Sequence, residues 1–224
     1  DKSNFLTRPT IKEVKKMDTD ILMKQIKNAM TVETSIFYVG TLGKDIVKNA
    51  VSEKFIINKN LRKSNSPLRW EKKLKNSNTV FFYNDKKAVQ SQISILVDGD
   101  AMNLNDRQKS NVFNKYFGGS MSGLVFQEIR EFKSLAYSAW GSYRSPYYLD
   151  DSGRFEGFMG TQADKTVDAI ETYVQLLKEM PEKPLRADGI RSGLLESLNS
   201  SKPRFRTMGL SIRGWEKQGY VSDP

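Results

Sequence analysis

Arg130 and Tyr137 stand seven residues apart at the end of the stretch Phe113 to Tyr137, FNKYFGGSMSGLVFQEIREFKSLAY. A planar guanidinium and a phenol can together hold a peptide carbonyl and polarise it as negative charge develops on its oxygen. The same residues also have an ordinary reading. An Arg near a helix C-terminus complements the helix dipole, and Tyr is common on strands. Glu128 and Glu131 flank Arg130 like a carboxylate pair for acid–base work. Three residues apart, they share a helix face only in part, and they read better as solvated or ion-paired groups. Trp140, Tyr143, Tyr147 and Tyr148 are candidates for a peptide-facing surface, with packing as the stronger expectation for most of them. Met121, Met159 and Met208 carry no metal-site spacing.

The residue types that are missing narrow the chemistry further. The chain of 224 residues has no His and no Cys. Zinc peptidases of the HExxH and HxxEH types need two imidazoles from one helix to hold the metal. Ser–His and Cys–His nucleophilic pairs fall for the same reason, and so do disulfides and thiolate metal sites. Hydrolysis by this chain alone is therefore not expected, and no cofactor of its own is implied.

The elements that must position Arg130 and Tyr137 can be read from periodicity. A first helix should end at Tyr116 and Phe117, where Gly118-Gly119 supplies positive backbone dihedrals. Ser120 or Ser122 can cap a second helix with Val125, Ile129 and Phe132 at helical spacing. Ala136 to Tyr143, with alternating aromatics, reads as a strand. Arg130 then lies in the last turns of a helix and Tyr137 at the start of the strand that follows.

This run resembles the non-catalytic domain of the pitrilysin/insulinase family of zinc peptidases, which includes the mitochondrial processing peptidases. The residues that carry the resemblance are Tyr116-Phe117-Gly118-Gly119, then Phe126-Gln127-Glu128-Ile129-Arg130, then Leu135-Ala136-Tyr137. The chain departs from the family pattern at Leu124 and Phe132, where polar or basic residues are commoner, and at Ser134, which replaces a frequent Gly. The resemblance implies that Arg130 and Tyr137 reach toward a zinc site in another domain and contact the substrate near the scissile bond. Zinc would then be held by a catalytic, HxxEH-bearing domain or subunit of the same family.

Net charge is +10, but its distribution argues against a nucleic-acid surface. Residues 1–75 hold 17 Lys/Arg against 8 Asp/Glu, whereas residues 76–224 hold 19 against 18. Much of the excess lies in Lys54–Lys75, around the turn signal Ser64-Asn65-Ser66-Pro67. That stretch reads as a solvated basic connector, since no helix-turn-helix or RNA-reading aromatic motif accompanies it. No run approaches the roughly 18 apolar residues of a membrane span. The chain opens on Asp1, so it is expected to be a processed or excised piece. It ends abruptly at Tyr220–Pro224, and since more helix normally follows in the resembled family, the resemblance implies truncation at the C-terminus.

Elsewhere, Asp18 or Thr19 should cap a helix carrying Ile21, Leu22, Ile26 and Met30. Ser35 to Gly40 reads as a strand, and Gly43 to Phe55 as a helix with Ile46, Val47 and Val51 inward. Val80 to Tyr83 and Gln90 to Val97 are strand candidates, the second broken by Asp98-Gly99-Asp100. Asn105 to Phe117 should be a helix with Val112, Phe113 and Tyr116 inward. Turn signals at Arg144-Ser145-Pro146 and Asp150 to Gly153 mark a hairpin, returning through Phe155 to Thr161. Asp164 should cap a helix to Met180 with Val167, Ile170, Val174 and Leu177 buried, and Pro181 stops it. Leu185 to Leu198 and Phe205 to Trp215 read as two more helices.

The expected fold is α+β, a mostly antiparallel sheet of about five or six strands with helices packed on one face. Residues 56–78 are read as the basic connector, and the resemblance implies that 1–55 are the end of a preceding structural repeat and 79–224 the non-catalytic domain. The expected role is to enclose a peptide substrate and contact it through Arg130 and Tyr137, with zinc supplied by another domain or subunit. A structural subunit without peptidase activity, like the core proteins of respiratory complexes that share the fold, is the alternative. A basic nucleic-acid-binding module is the less favoured one.

Overall fold

The computed structural model describes residues 8–54, 61–63, 77–118, 121–149 and 151–222. The chain forms two compact units, 1–72 and 73–224. In the first, Thr10 and Glu13 form a capping box on the short helix α1 (Ile11–Val14). Asp18 caps α2 (Thr19–Ala29), accepting from the Asp20 N–H at 2.8 Å. A third helix, α3, spans Lys44–Lys54. Val47 and Val51 are half-buried, whereas Ile46 is exposed. The expected strand at Ser35 to Gly40 does not form. An extended segment becomes a strand only with a ladder partner, and the one bridge in this unit among the described residues joins Val32 to Arg62.

The second unit is built on a three-stranded antiparallel sheet in the order β1-β3-β2, from β1 (Gln90–Ala101), β2 (Ala136–Arg144) and β3 (Ser152–Gln162). Helices pack on one face of it, and the fold is α+β. The five or six expected strands reduce to three among the described residues, because Val80 to Tyr83 stays outside the sheet with its side chains exposed. Asp98-Gly99-Asp100 does not break β1. The strand runs on to Ala101 through a register irregularity, which a β-bulge accommodates without ending the ladder. Most of the basic connector, with Phe55, Gly119, Ser120 and Asp150, lies outside the described residues.

Between β1 and β2 runs α4 (Leu104–Phe117), closed at its start by a reciprocal capping box between Asn103 and Asp106. Its inward residues are Phe117, Arg107 and Ser110, with Phe113 and Tyr116 half-buried; Val112 is exposed, contrary to expectation. Asn114 brackets the Tyr143 peptide, donating to its C=O at 2.9 Å and accepting from its N–H at 2.6 Å, which ties α4 to the edge strand. Gly118 has φ −146°, so its value is not a left-handed turn. A Cβ there would collide with the backbone of Gly141. It permits close approach of the α4 end to β2.

After β3 a short 3₁₀ turn (Ala163–Lys165) leads into α5 (Thr166–Glu179), then α6 (Pro184–Ser200) and α7 (Met208–Lys217) follow. Asp164 lies inside the 3₁₀ turn and caps nothing, since α5 begins two residues later without a side-chain cap. The buried stripe of α5 is Ala169, Tyr173 and Leu176, while Val167 and Ile170 are exposed. Glycines on distant strands decide this. Gly141 and Gly157 face each other across β2 and β3, and a Cβ on either would lie 2.5 Å from the Tyr173 Oη. Into that slot the ring descends, donating its hydroxyl to the Trp140 C=O at 2.9 Å and meeting Phe117 edge-on at 6.0 Å. Burial pushes the Tyr173 phenol well above its usual pKa, which keeps it a neutral donor.

Gly157→Ala is expected to destabilise the unit by about 2 kcal/mol or more through overpacking, and Tyr173→Phe by about 1 kcal/mol through the orphaned Trp140 carbonyl. Because Phe removes the colliding oxygen, the double variant should cost less than the sum in a chemical-denaturation cycle. Strict additivity would contradict the slot.

Candidate functional site

Arg130 lies on a π-helix, Phe126–Phe132, that continues a helical turn opened by Leu124 and Val125. Leu124, Val125 and Ile129 are fully buried and anchor this turn against the sheet; Phe132, at helical spacing from Val125 and Ile129, is 68% exposed. Leu124 therefore adds nothing to the surface, whereas Phe132 leaves the outside of the turn apolar. The wider π winding rotates successive residues less than an α-helix does, and such single turns recur at functional sites.

Three backbone features then carry the chain from Arg130 to Tyr137. Ser134 sits in the left-handed region at φ 50°. The Leu135 N–H returns to the Ile129 C=O at 2.9 Å, and the Leu135 C=O accepts from the buried Thr161 hydroxyl at 2.5 Å. Finally, β2 shifts register at its start. Ala136 pairs with Thr161 and Ser138 with Gly160, so Tyr137 is the extra residue of a bulge. Bulges re-aim side chains, and Tyr137 emerges 79% exposed beside a buried Ala136.

The result brings both expected residues together. The Arg130 Cζ lies 5.6 Å from the centre of the Tyr137 ring and 4.6 Å from that of Phe126. Ring contacts of this kind contribute about 0.5–1 kcal/mol each at exposed positions and hold the guanidinium in place. A guanidinium resting on ring faces keeps its in-plane N–H donors for a hydrogen-bond acceptor. Phe126 is the residue whose part in this arrangement sequence reading did not separate from the motif around it. Its signal was a spacing of four residues before Arg130, the distance of one helical turn.

The two flanking carboxylates take different partners. Glu131 approaches the Arg130 Nε at 3.6 Å, with both side chains well exposed, an ion pair worth little in water. Glu128 instead pairs with Lys183. The Lys183 N–H donates to the Tyr116 hydroxyl at 2.9 Å, and that hydroxyl donates to the Pro181 C=O at 2.5 Å. The loop after α5 is thus laced to α4 and the π-helix, and both Glu residues are ion-paired. Among the aromatics, Tyr147 and Tyr148 pack edge to face with the Lys217 ammonium near both, and Tyr143 packs on the core.

The donor set does not suit zinc. His and Cys are absent from the sequence, and no group of three or more acidic residues among the described residues is arranged to hold a metal ion. Arg130 and Tyr137 offer cationic and phenolic donors, which suit a carbonyl oxygen or a developing oxyanion.

Ser134→Gly should raise stability by roughly 0.5 kcal/mol, since relief of the left-handed strain exceeds the added chain entropy of Gly. Ser134→Val should lower it by about 1–2 kcal/mol. Thermal melts of the two variants on opposite sides of the parent would bear this out; equal shifts would refute it.

No helix among the described residues is long and apolar enough to cross a membrane. Residues 33–188 match the family model of the Peptidase M16 inactive domain. The chain is 42% identical over 101 residues to the uncharacterized zinc protease YmxG of Bacillus subtilis, covering 45% of this chain and 22% of that protein. An uncharacterized zinc protease of Streptomyces coelicolor is 31% identical over 145 residues, covering 62% of this chain and 31% of that protein. The matched stretch thus spans a fifth to a third of these curated relatives. The crystal structure of a protease from Helicobacter pylori superposes on 95% of this chain and 52% of its own, with a TM-score of 0.63 at 17% identity, which speaks for the fold. The family match covers most of the sequence, and the chain belongs to the M16, or pitrilysin/insulinase, family as its non-catalytic type of domain.

Proposed function

We propose that this chain is the substrate-holding part of a zinc metallopeptidase, helping to enclose a peptide and gripping one of its carbonyls through Arg130 and Tyr137. Zinc and the HxxEH helix that binds it belong to another domain or subunit of the same family. Residues 79–224 form the gripping domain, 56–78 the connector, and 1–55 the end of a preceding repeat. The naming of its relatives as zinc proteases supports this reading.

The observation that carries it is the Arg130 guanidinium in contact with two aromatic rings on an exposed edge, delivered there by a π-helix, a left-handed Ser and a bulge in succession. Uncommon backbone of this kind is costly and gathers where geometry matters for binding. An exposed cation held beside an exposed phenol favours this reading over a purely structural subunit.

In the assembled peptidase, Arg130→Ala should lower kcat/KM for peptide cleavage by about a hundredfold, the scale of losing one preorganised oxyanion donor. Arg130→Lys should recover little of it, because the planar fork is lost. Tyr137→Phe should cost about tenfold, and zinc content should match the parent in all three. Unchanged cleavage in every variant would discard the grip and favour a structural subunit.

A further inference from the structure

The side of the sheet opposite the helices carries an aromatic shelf. Trp140 of β2 lies directly across from Phe158 of β3, and the two rings stack at 6.1 Å with an interplanar angle of 22°. Around them the same side presents small residues. Phe158 faces Ser94 on β1, and the neighbouring rows are Ser138 with Gly160 and Ser142 with Glu156. Trp140 is 37% exposed, and Leu96, one row along on β1, is 69% exposed. A stacked aromatic pair left standing among Ser and Gly on a solvent face is the kind of apolar patch that marks a contact surface.

The charges beside the shelf are satisfied among themselves. Glu156 accepts from Arg144 at 3.0 Å and pairs with Arg154 at 2.5 Å. Burial works to raise the Glu156 carboxyl, but hydrogen bonds and charge from Arg144 and Arg154 outweigh it and leave the pKa below its usual value. Arg154 also stands opposite Asp98, and the Arg144 Cζ lies 5.9 Å from the Trp140 ring. Two guanidinia against two carboxylates leave no net charge. The complement of this surface is apolar rather than acidic.

We infer that Trp140 and Phe158 form a specificity subsite for a large apolar side chain of the peptide held by Arg130 and Tyr137. This inference rests on that grip, and Tyr137 and Trp140 share one strand. Three residues of strand rise separate them, about 10 Å, and an extended peptide advances at the same rate. The side chain seated on the shelf therefore belongs to a residue about three positions from the gripped one. Stacking on the indole and phenyl faces favours Phe, Tyr, Leu or Met there over Ser or Asp.

The test uses the assembled peptidase and decapeptides of Ser and Ala in which a single Phe is moved through each position. The readout is the ratio of kcat/KM between each Phe peptide and its Ser counterpart. One position should stand out by about tenfold or more, and Trp140→Thr or Phe158→Thr should bring that ratio close to one. Thr keeps strand propensity, so either variant suffices should the other fold poorly. In a Trp70→Phe, Trp215→Phe background, Trp140 emission should shift to the blue when the preferred peptide is added. A flat profile in the parent, or a preference that survives both Thr variants, overturns the subsite. An emission shift on adding the catalytic partner but not the peptide overturns it as well, by giving the shelf to an interface between domains. Arg130→Ala reports separately on the grip. It should lower cleavage of all peptides and leave the positional ratio standing.

Discussion

The packing of Tyr173 against two facing glycines is the contact on which the rest of the second unit depends. Gly141 and Gly157 meet across β2 and β3, and the space their missing side chains leave is filled by the Tyr173 ring and hydroxyl. A third glycine, Gly118, lets the end of α4 come down on the Gly141 backbone from the same side. Two helices thus approach the sheet more closely than side chains of ordinary size would permit. The hydroxyl ends on the Trp140 carbonyl, so the core on one face of β2 fixes the residue whose ring stands on the other. Dense interiors transmit strain in this way, since neither side can yield without opening a void.

The Arg130–Tyr137 site is held by the same core and needs it. A left-handed Ser and a bulge are each unfavourable in isolation, and they persist where the surroundings over-determine the chain path. Here the anchors are Leu124, Val125 and Ile129 beneath the π-helix and the Thr161 hydroxyl on the Leu135 carbonyl. Thr161 is buried on the central strand, so the linker between Arg130 and Tyr137 is bonded to the most protected part of the sheet. The exposed groups sit on a rigid backing, which would lower the entropy lost if they closed on a ligand as proposed.

Much of this was legible in the residues, and the remainder failed for identifiable reasons. Helices with local caps, such as α2 with Asp18, announce themselves because the capping group and the helix are neighbours in sequence. The β2–β3 hairpin did so through its turn residues, and the Arg–Tyr spacing through the motif that contains it. The π winding was hidden because Leu124, Val125 and Ile129 suit an α-helix equally well. The bulge was hidden because Ala136-Tyr137-Ser138-Ala139 reads as ordinary strand until Thr161 and Gly160 are seen opposite it. The stripe of α5 was assigned to its aliphatic residues, and what overruled them was a slot made by glycines on other elements. Val80 to Tyr83 has strand composition, but a strand also requires a ladder that composition cannot supply. Ser134 is instructive in the other direction. It occupies a left-handed position, where glycine is the residue that costs least.

The division of the carboxylates explains how a cation can stay available on a surface rich in acids. Arg130 has Glu128 two residues before it and Glu131 immediately after, and either could neutralise it. Lys183 removes Glu128 from contention and is itself fixed by its N–H to Tyr116. Glu131 remains, at 3.6 Å and open to solvent, where screening leaves little attraction. A peptide carbonyl that excluded water from this edge would meet a guanidinium already oriented by Phe126 and Tyr137 and only weakly engaged. Excluding that water would also strengthen its hydrogen bonds to Arg130 as the dielectric falls. In the proposed grip, positioned N–H donors would stabilise a developing oxyanion by the same electrostatics.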